Sequence, residues 1–192
     1  MTVLCDKDIR KYILDGRIYI EDFDMNNIDP CSVDLRLGNR FRIFKHNELS
    51  HIDVRKGVAD EHMEIIEKQD HDQFIIHPGE LVLAHTKESV RIPDNIVGTM
   101  DGRSSLGRLG LTIHSTANSI DPGFEGQITL EISNIAKVPI ILTPGMRVCR
   151  LAFTLLSDHC ETPYNIRKKS KYTSQEGPGI SKISLDGQNK LG

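Results

Sequence analysis

A chain of 192 residues suits one domain with a sizeable core, but with 38% hydrophobic and 5% aromatic residues and no Trp that core must be mostly aliphatic. A formal charge of −3 excludes the strongly basic face of a broad nucleic-acid binder, and no apolar run approaches the roughly 20 residues of a membrane span. The N-terminus, MTVLCDKDIRKY, has no secretory apolar region, so a cytoplasmic protein with neither nucleic acid nor membrane as partner is expected.

In chain order, a short helix comes first: Asp6 can cap it, Ile9, Tyr12 and Ile13 form its apolar stripe, and Gly16 can end it. The rest reads as β. Residues 33–43 alternate apolar and polar on either side of Gly38, and Phe74–Ile76 and Leu81–Ala84 flank a His77-Pro78-Gly79-Glu80 turn. The polar, His- and Glu-rich stretch 56–73 between them reads as an exposed excursion, helical around Glu61–Glu67. Ile96–Met100, Leu111–Ile113, Ile128–Ser133, Ile140–Leu142 and Val148–Leu155 complete a set of short strands punctuated by Gly, Pro, Asn and Asp. Such a pattern predicts a mainly β sandwich or barrel-like domain with few helices, spanning residues 1–163. From about Glu161 the composition shifts to Lys, Arg, Ser and Gly; Ser181–Gly192 reads as disordered, and 164–179 either as linker or as a lid that orders on an anionic ligand.

Cys5, Cys31, Cys149 and Cys160 match no zinc or redox spacing and read as reduced thiols. His77, Glu80, His85 and His114 lie near one another in sequence without a metal-binding pattern, and the zinc deaminase signature is absent, so no zinc is expected.

The chemistry concentrates in 103–131. Arg103, Ser104, Ser105, Leu106, Gly107 and Arg108 put two guanidinium and two hydroxyl groups into six residues, spaced unlike a regular helix, which reads as an anion-binding loop. It lacks the lysine-bearing motif of P-loop NTPases. Asp121-Pro122-Gly123 makes a turn, in which Asp121 can also accept a hydrogen bond from a sugar hydroxyl. Phe124 is either core or a floor that leaves no room for an extra hydroxyl. In Gly126–Asn134, Ile128, Leu130 and Ile132 share the core face and Thr129, Glu131 and Ser133 the other. A lone strand Glu is usually just solvated, but Glu is depleted in strands and Glu131 follows a Gly-rich turn. Under a pocket its carboxyl would shift toward neutrality and suit a general base or proton shuttle.

These residues carry a resemblance. G-R-S-S-L-x-R-L-G-L, then H-x-T-A-x-x-I-D-P-G-F-x-G, then T-L-E resemble the dCTP deaminases of the trimeric dUTPase superfamily. LCDKDIRKYILDGRI, S-V-D-L-R-L-G-N-R-F, the H-P-G-E turn and P-Y-N-x-R-x-x-S-K-Y-x-x-Q fit as well, in order and over nearly the whole chain. The resemblance implies a dUTPase-like distorted barrel or jelly roll (β-clip), a homotrimer with active sites between subunits, and zinc-independent hydrolysis of dCTP to dUTP and ammonia, supplying dUTP for dUMP and dTTP synthesis. Mg²⁺ would arrive with the triphosphate, and dTTP would inhibit. Glu131 matches the catalytic carboxylate, and Ser104 with the Ala117 carbonyl would hold the attacking water beside Arg108. Residues 103–108 match the triphosphate loop, Asp121 the deoxyribose contact, and Thr129, Leu130 and Glu131 the segment facing the base. Tyr164, Lys171 and Gln175 match a tail, 164–192, that closes over the nucleotide.

Bifunctional relatives that form dUMP and pyrophosphate often read T-A-G-[FW]-I-D, and deaminase-only ones T-A-H-R-I-D. Thr116-Ala117-Asn118-Ser119-Ile120-Asp121 matches neither; the N-terminal half favours deaminase-only. A non-catalytic dNTP-sensing regulatory protein on the same scaffold is the reading from another class, and the set Ser104, Arg108 and Glu131 argues against it. A plain dUTPase is disfavoured because the tail lacks that branch's Gly-rich motif.

Overall fold

The computed structural model describes residues 2–113 and 117–186. Its strands are β1 (Thr2–Val3), β2 (Tyr19–Ile20), β3 (Ile28–Asp29), β4 (Ser32–Arg36), β5 (Arg40–Phe44), β6 (Met63–Glu67) and β7 (Phe74–Ile76) in the first part of the chain. There follow β8 (Leu81–Arg91), β9 (Ile96–Gly102), β10 (Leu111–Ile113), β11 (Ser119–Ile120), β12 (Glu125–Asn134), β13 (Ile140–Leu142) and β14 (Arg147–Leu155). The helices are α1 (Asp6–Leu14) and α2 (Ser104–Gly107). One antiparallel sheet runs β11-β9-β14-β4-β3 with β1 beside β14, the other β10-β12-β8-β5-β6 with β2 beside β8, and β7 pairs with β13. The fold is mainly β, as expected. Phe41, Phe74, Leu35, Ile76, Leu130, Ile132 and Phe153 are among the aliphatic and aromatic side chains buried between the layers.

The run 33–43 is not one strand. It leaves the first sheet after Arg36 and enters the second at Arg40, and Gly38 makes the crossing possible: a Cβ there would lie 2.2 Å from the imidazole of His85. The β8 strand continues to Arg91, well past Ala84, and it bulges. Gln127 pairs with Ser89 but Thr129 with His85, so Thr86–Glu88 carry two residues more than β12 opposite them. The Thr86 hydroxyl replaces the lost ladder bonds, accepting from Ile128 N at 2.9 Å and donating to Glu88 O at 2.8 Å. The Glu88 carboxylate, 1% exposed, accepts from Arg36 N at 2.9 Å and Arg36 Nε at 2.6 Å, which ties the bulge to the crossing segment.

Other expectations are corrected. The expected helix around 61–67 is a strand from Met63 onward: a single 3-10 turn over Asp60–His62 leads into β6, which pairs with β5 from Phe44↔Met63 to Arg40↔Glu67, because Ile65 and Ile66 extend an existing sheet edge. Cys5, not Asp6, stands at the N-cap of α1, and Asp6 is its first helical residue. Gly16, with φ +69°, does end it, its N–H bonded to Ile13 O. Residues 183–185 form a helical turn rather than a disordered stretch; positions 187–192 lie outside the described residues. The four cysteines are free, Cys149 buried in the core.

His85 is buried and serves both strands around it. Its Nδ1 donates to Thr86 O at 2.9 Å, which leaves Nε2 to accept from Arg40 N at 3.3 Å. Burial, only partly offset by that carbonyl, holds its pKa below the ordinary 6.5. A histidine whose folded pKa is depressed stabilises the neutral-pH fold and withdraws that stability as pH falls below 6.5 toward the folded value. The melting temperature is therefore expected to fall between about pH 7.5 and pH 5.5, and His85→Gln to flatten that slope, as scanning calorimetry across the range would read.

Candidate active site

The second sheet presents the site. Along β12 the alternation predicted from sequence holds: Ile128, Leu130 and Ile132 are buried, while Gln127, Thr129, Glu131 and Ser133 are half-buried on the other face. Glu131 and Thr129 open into a pocket of about 580 Å³. Its far side is the Asp-Pro-Gly turn, which brings Asp121, Phe124 and Ala117 to the same space. Apolar walls come from Leu81 and Leu83 on β8 and from Phe44 and Met63. Two carboxylates thus share one pocket.

Asp121 makes the turn and also faces the pocket. Its carbonyl accepts from Phe124 N at 3.1 Å, and Gly123 takes φ +81°. A Cβ at Gly123 would come within 2.8 Å of Asn165 and Pro163, so this glycine lets the tail seat on the turn, where Tyr164 N donates to Pro122 O at 2.7 Å. Phe124 is both core and pocket wall, its ring 5.9 Å from that of Tyr164. Arg167, part of the P-Y-N-x-R motif but not among the expected site residues, lies 3.7 Å from the Asp121 carboxylate.

Beyond Tyr164 the tail roofs the pocket with Tyr172, Gln175, Gly179 and Ile180. It does so by adding to the edge of β12 beyond β10, which among the described residues pairs with Ile132–Asn134. Gln175 bridges to Gly126 in parallel, Gln127 N donates to Gln175 O at 2.8 Å, and Ser174 N donates to Glu125 O at 3.0 Å. Side chains complete the clasp. Gly177 N donates to Gln127 Oε1 at 2.6 Å, and the Thr129 hydroxyl accepts from Gly179 N at 3.0 Å and from the Gln175 amide. Gln127 was missed in the sequence, although its place on the Thr129–Glu131 face was legible there.

The structure does not gather every sequence-predicted residue. Arg103, Ser104, Ser105, Leu106, Gly107 and Arg108 do not line the pocket of their own chain. Ser104–Gly107 form a single helical turn, contrary to the expected irregular loop, with Ser104, Ser105 and Arg108 exposed. Arg103 instead reaches Asp34, an almost fully buried carboxylate on β4, at 3.3 Å. Burial raises the Asp34 carboxyl pKa above its ordinary 3.8, against the pull of Arg103 and Arg147. Leu130 belongs to the core, its side chain fully buried. Lys171 pairs with Asp186 at 2.5 Å outside the pocket. Glu80 caps its own turn by accepting from His77 N at 2.6 Å, His85 is internal to the sheet, and His114 lies outside the described residues. Among the described residues no three His, Cys, Asp or Glu side chains are grouped as a metal site, and no helix is long and apolar enough to cross a membrane.

The chain is similar to known proteins. The family model described as dCTP deaminase-like matches residues 3–156. A protein of Dictyoglomus thermophilum named "dCTP deaminase, dUMP-forming" is 49% identical over 186 residues, covering 96% of each chain. One of Colwellia psychrerythraea named "dCTP deaminase" is 49% identical over 191 residues, covering 95% of this chain and 96% of that one. The dUMP-forming name recurs in further relatives of 46–49% identity. A solved 2′-deoxycytidine 5′-triphosphate deaminase from Agrobacterium tumefaciens shares the fold, with a TM-score of 0.62 and 23% identity, over 80% of this chain and 48% of that one.

Thr129→Val, which keeps shape but removes the shared acceptor, is expected to weaken tail docking by about 1–2 kcal/mol. Amide exchange at residues 175–179 should accelerate roughly 5–30-fold while core amides of β12 stay protected.

Proposed function

The chain belongs to the dCTP deaminase-like family, and from that premise we propose that it hydrolyses dCTP at C4, releasing ammonia, and then cleaves the resulting dUTP to dUMP and pyrophosphate. The observation that carries this reading is the placement of Glu131 and Asp121 in one pocket under the tail. In the first step Glu131 takes a proton from a water held by the Ala117 carbonyl and the Ser104 hydroxyl. The hydroxide attacks C4 as the carboxyl passes that proton to N3; Glu131 then takes the remaining proton from the new C4 hydroxyl and delivers it to the amine, so that the C4–N bond breaks, ammonia leaves and the C4 carbonyl forms. Arg108 holds carboxylate and water in line and offsets developing negative charge. Asp121 meets the deoxyribose, and Phe124 limits the space beside it.

Ser104 and Arg108 lie outside the pocket of their own chain, so the proposal requires a second copy of the chain to supply them, in a homotrimer with sites between subunits. The docked tail supports the lid reading. Mg²⁺ enters with the triphosphate as part of the substrate, dTTP competes for the pocket, and the reaction runs in the cytoplasm.

The dUMP-forming name of several relatives supports the bifunctional product over the deaminase-only product favoured by the N-terminal sequence. The equally similar Colwellia protein keeps dUTP as the second reading. A product assay with dCTP and Mg²⁺ decides between them: ammonia with dUMP and pyrophosphate is expected, ammonia with dUTP would restore deamination alone, and dCTP binding without ammonia would make the chain a sensor. Glu131→Gln is expected to lower ammonia release by about 10²–10⁴-fold while dCTP affinity stays within about tenfold. Full turnover in that variant would sink the assignment.

A further inference from the structure

Arg103 is not alone at Asp34. Arg147, the first residue of β14, places Nη1 3.3 Å from the same carboxylate oxygen, Oδ2, that Arg103 Nη2 meets at 3.3 Å. The carboxylate lies inside, its side chain 3% exposed, and the guanidinium-bearing chains lie outside it, 30% and 50% exposed. All three residues sit on or at the end of neighbouring strands: Arg103 follows Gly102 of β9, which pairs with Cys149 of β14, and Asp34 pairs with Arg150. Arg147 is further fixed by the crossing segment, where Leu37 N donates to Met146 O and Gly145 N to Leu37 O, each at 2.8 Å. Arg150 adds little to the balance, since Asp101 faces it at 3.8 Å.

One buried carboxylate oxygen therefore meets two guanidinium groups, with Asp29 adding a further negative charge nearby. Each guanidinium carries several N–H donors in a planar fork, and a single shared carboxylate oxygen leaves most of them for other partners on side chains that stay partly exposed. A pair of arginines held from behind on rigid strands is suited to a multiply charged, oxygen-rich anion.

We infer that Arg147 is a second phosphate-binding residue beside Arg103, and that Asp34 is the positioning residue that holds both guanidinium groups in one outward-facing cradle for the polyphosphate of the substrate. The inference rests on the triphosphate reading of the 103–108 loop. In the assembled trimer the cradle would serve a nucleotide whose base lies in a neighbouring chain's pocket.

The test uses inorganic tripolyphosphate with the full-length protein, so that it does not depend on turnover. Calorimetric titration should show binding to the wild type, about tenfold or more weaker binding to Arg147→Gln, and partial recovery in Arg147→Lys, which keeps the charge but not the fork. In the dCTP assay the same variant should raise KM by a similar factor and leave kcat within about threefold. Asp34→Asn separates positioning from charge: positioning predicts weaker tripolyphosphate binding, whereas a carboxylate that only offset positive charge would give tighter binding on removal. Unchanged tripolyphosphate binding in Arg147→Gln, with binding lost in Arg103→Gln, would overturn the inference. No dCTP turnover together with Arg147-dependent tripolyphosphate binding would leave the cradle standing and overturn the deaminase reading instead. Arg147 is half exposed, so its variants should fold even if Asp34→Asn does not.

Discussion

The pairing of buried Glu88 with half-buried Arg36 is the constraint on which the architecture depends. A carboxylate taken out of water is costly unless it is paired and fully hydrogen-bonded, and Glu88 meets that condition by accepting from both the backbone and the guanidinium of Arg36. Arg36 is the last residue of β4, and Glu88 stands in the bulge of β8. Their bond joins the two sheets where the chain passes from one to the other. It also fixes the bulge opposite Ile128, which sets how β12 twists past β8 and therefore where Thr129 and Glu131 point.

Around that junction the same atoms serve packing and function together. The imidazole of His85 fills the space that Gly38 leaves open, and His85 stands opposite Thr129 in the strand register. Thr129 carries the next contact outward, to the tail. The tail in turn pairs with the edge of β12 at Glu125–Gln127, a natural attachment site because strand edges left unpaired seek partners. Pocket floor and pocket roof are thus two sides of one strand interaction, and anything that fills the pocket between them bears on both.

The acidic groups divide their labour by burial. Asp34 and Glu88 lie within the fold, each accepting from arginine, and act on geometry. Glu131 and Asp121 stand half-exposed in a pocket, open to a ligand. A carboxylate's place relative to solvent, more than its residue type, separates structural from chemical use.

The sequence by itself determined what depends on local periodicity and on backbone stereochemistry. Alternation from Gly126 to Asn134 put Glu131 and Thr129 on one face and Leu130 in the core, Asp121–Gly123 specified their own turn, and the spaced short strands specified a mainly β domain. Where only a tertiary partner decides, local pattern was silent or misleading. The alternation on either side of Gly38 in residues 33–43 does not reveal the change of sheet there, because nothing within them shows that His85 lies against Gly38. Met63–Glu67 could extend as a strand only because β5 offered an edge. Asp34 meets Arg103 and Arg147 across strands distant in sequence, so no motif could announce it. The separation of the 103–108 loop from the Glu131 pocket was likewise invisible, because the motifs record which residues are present but not on which side of the sheet each one emerges.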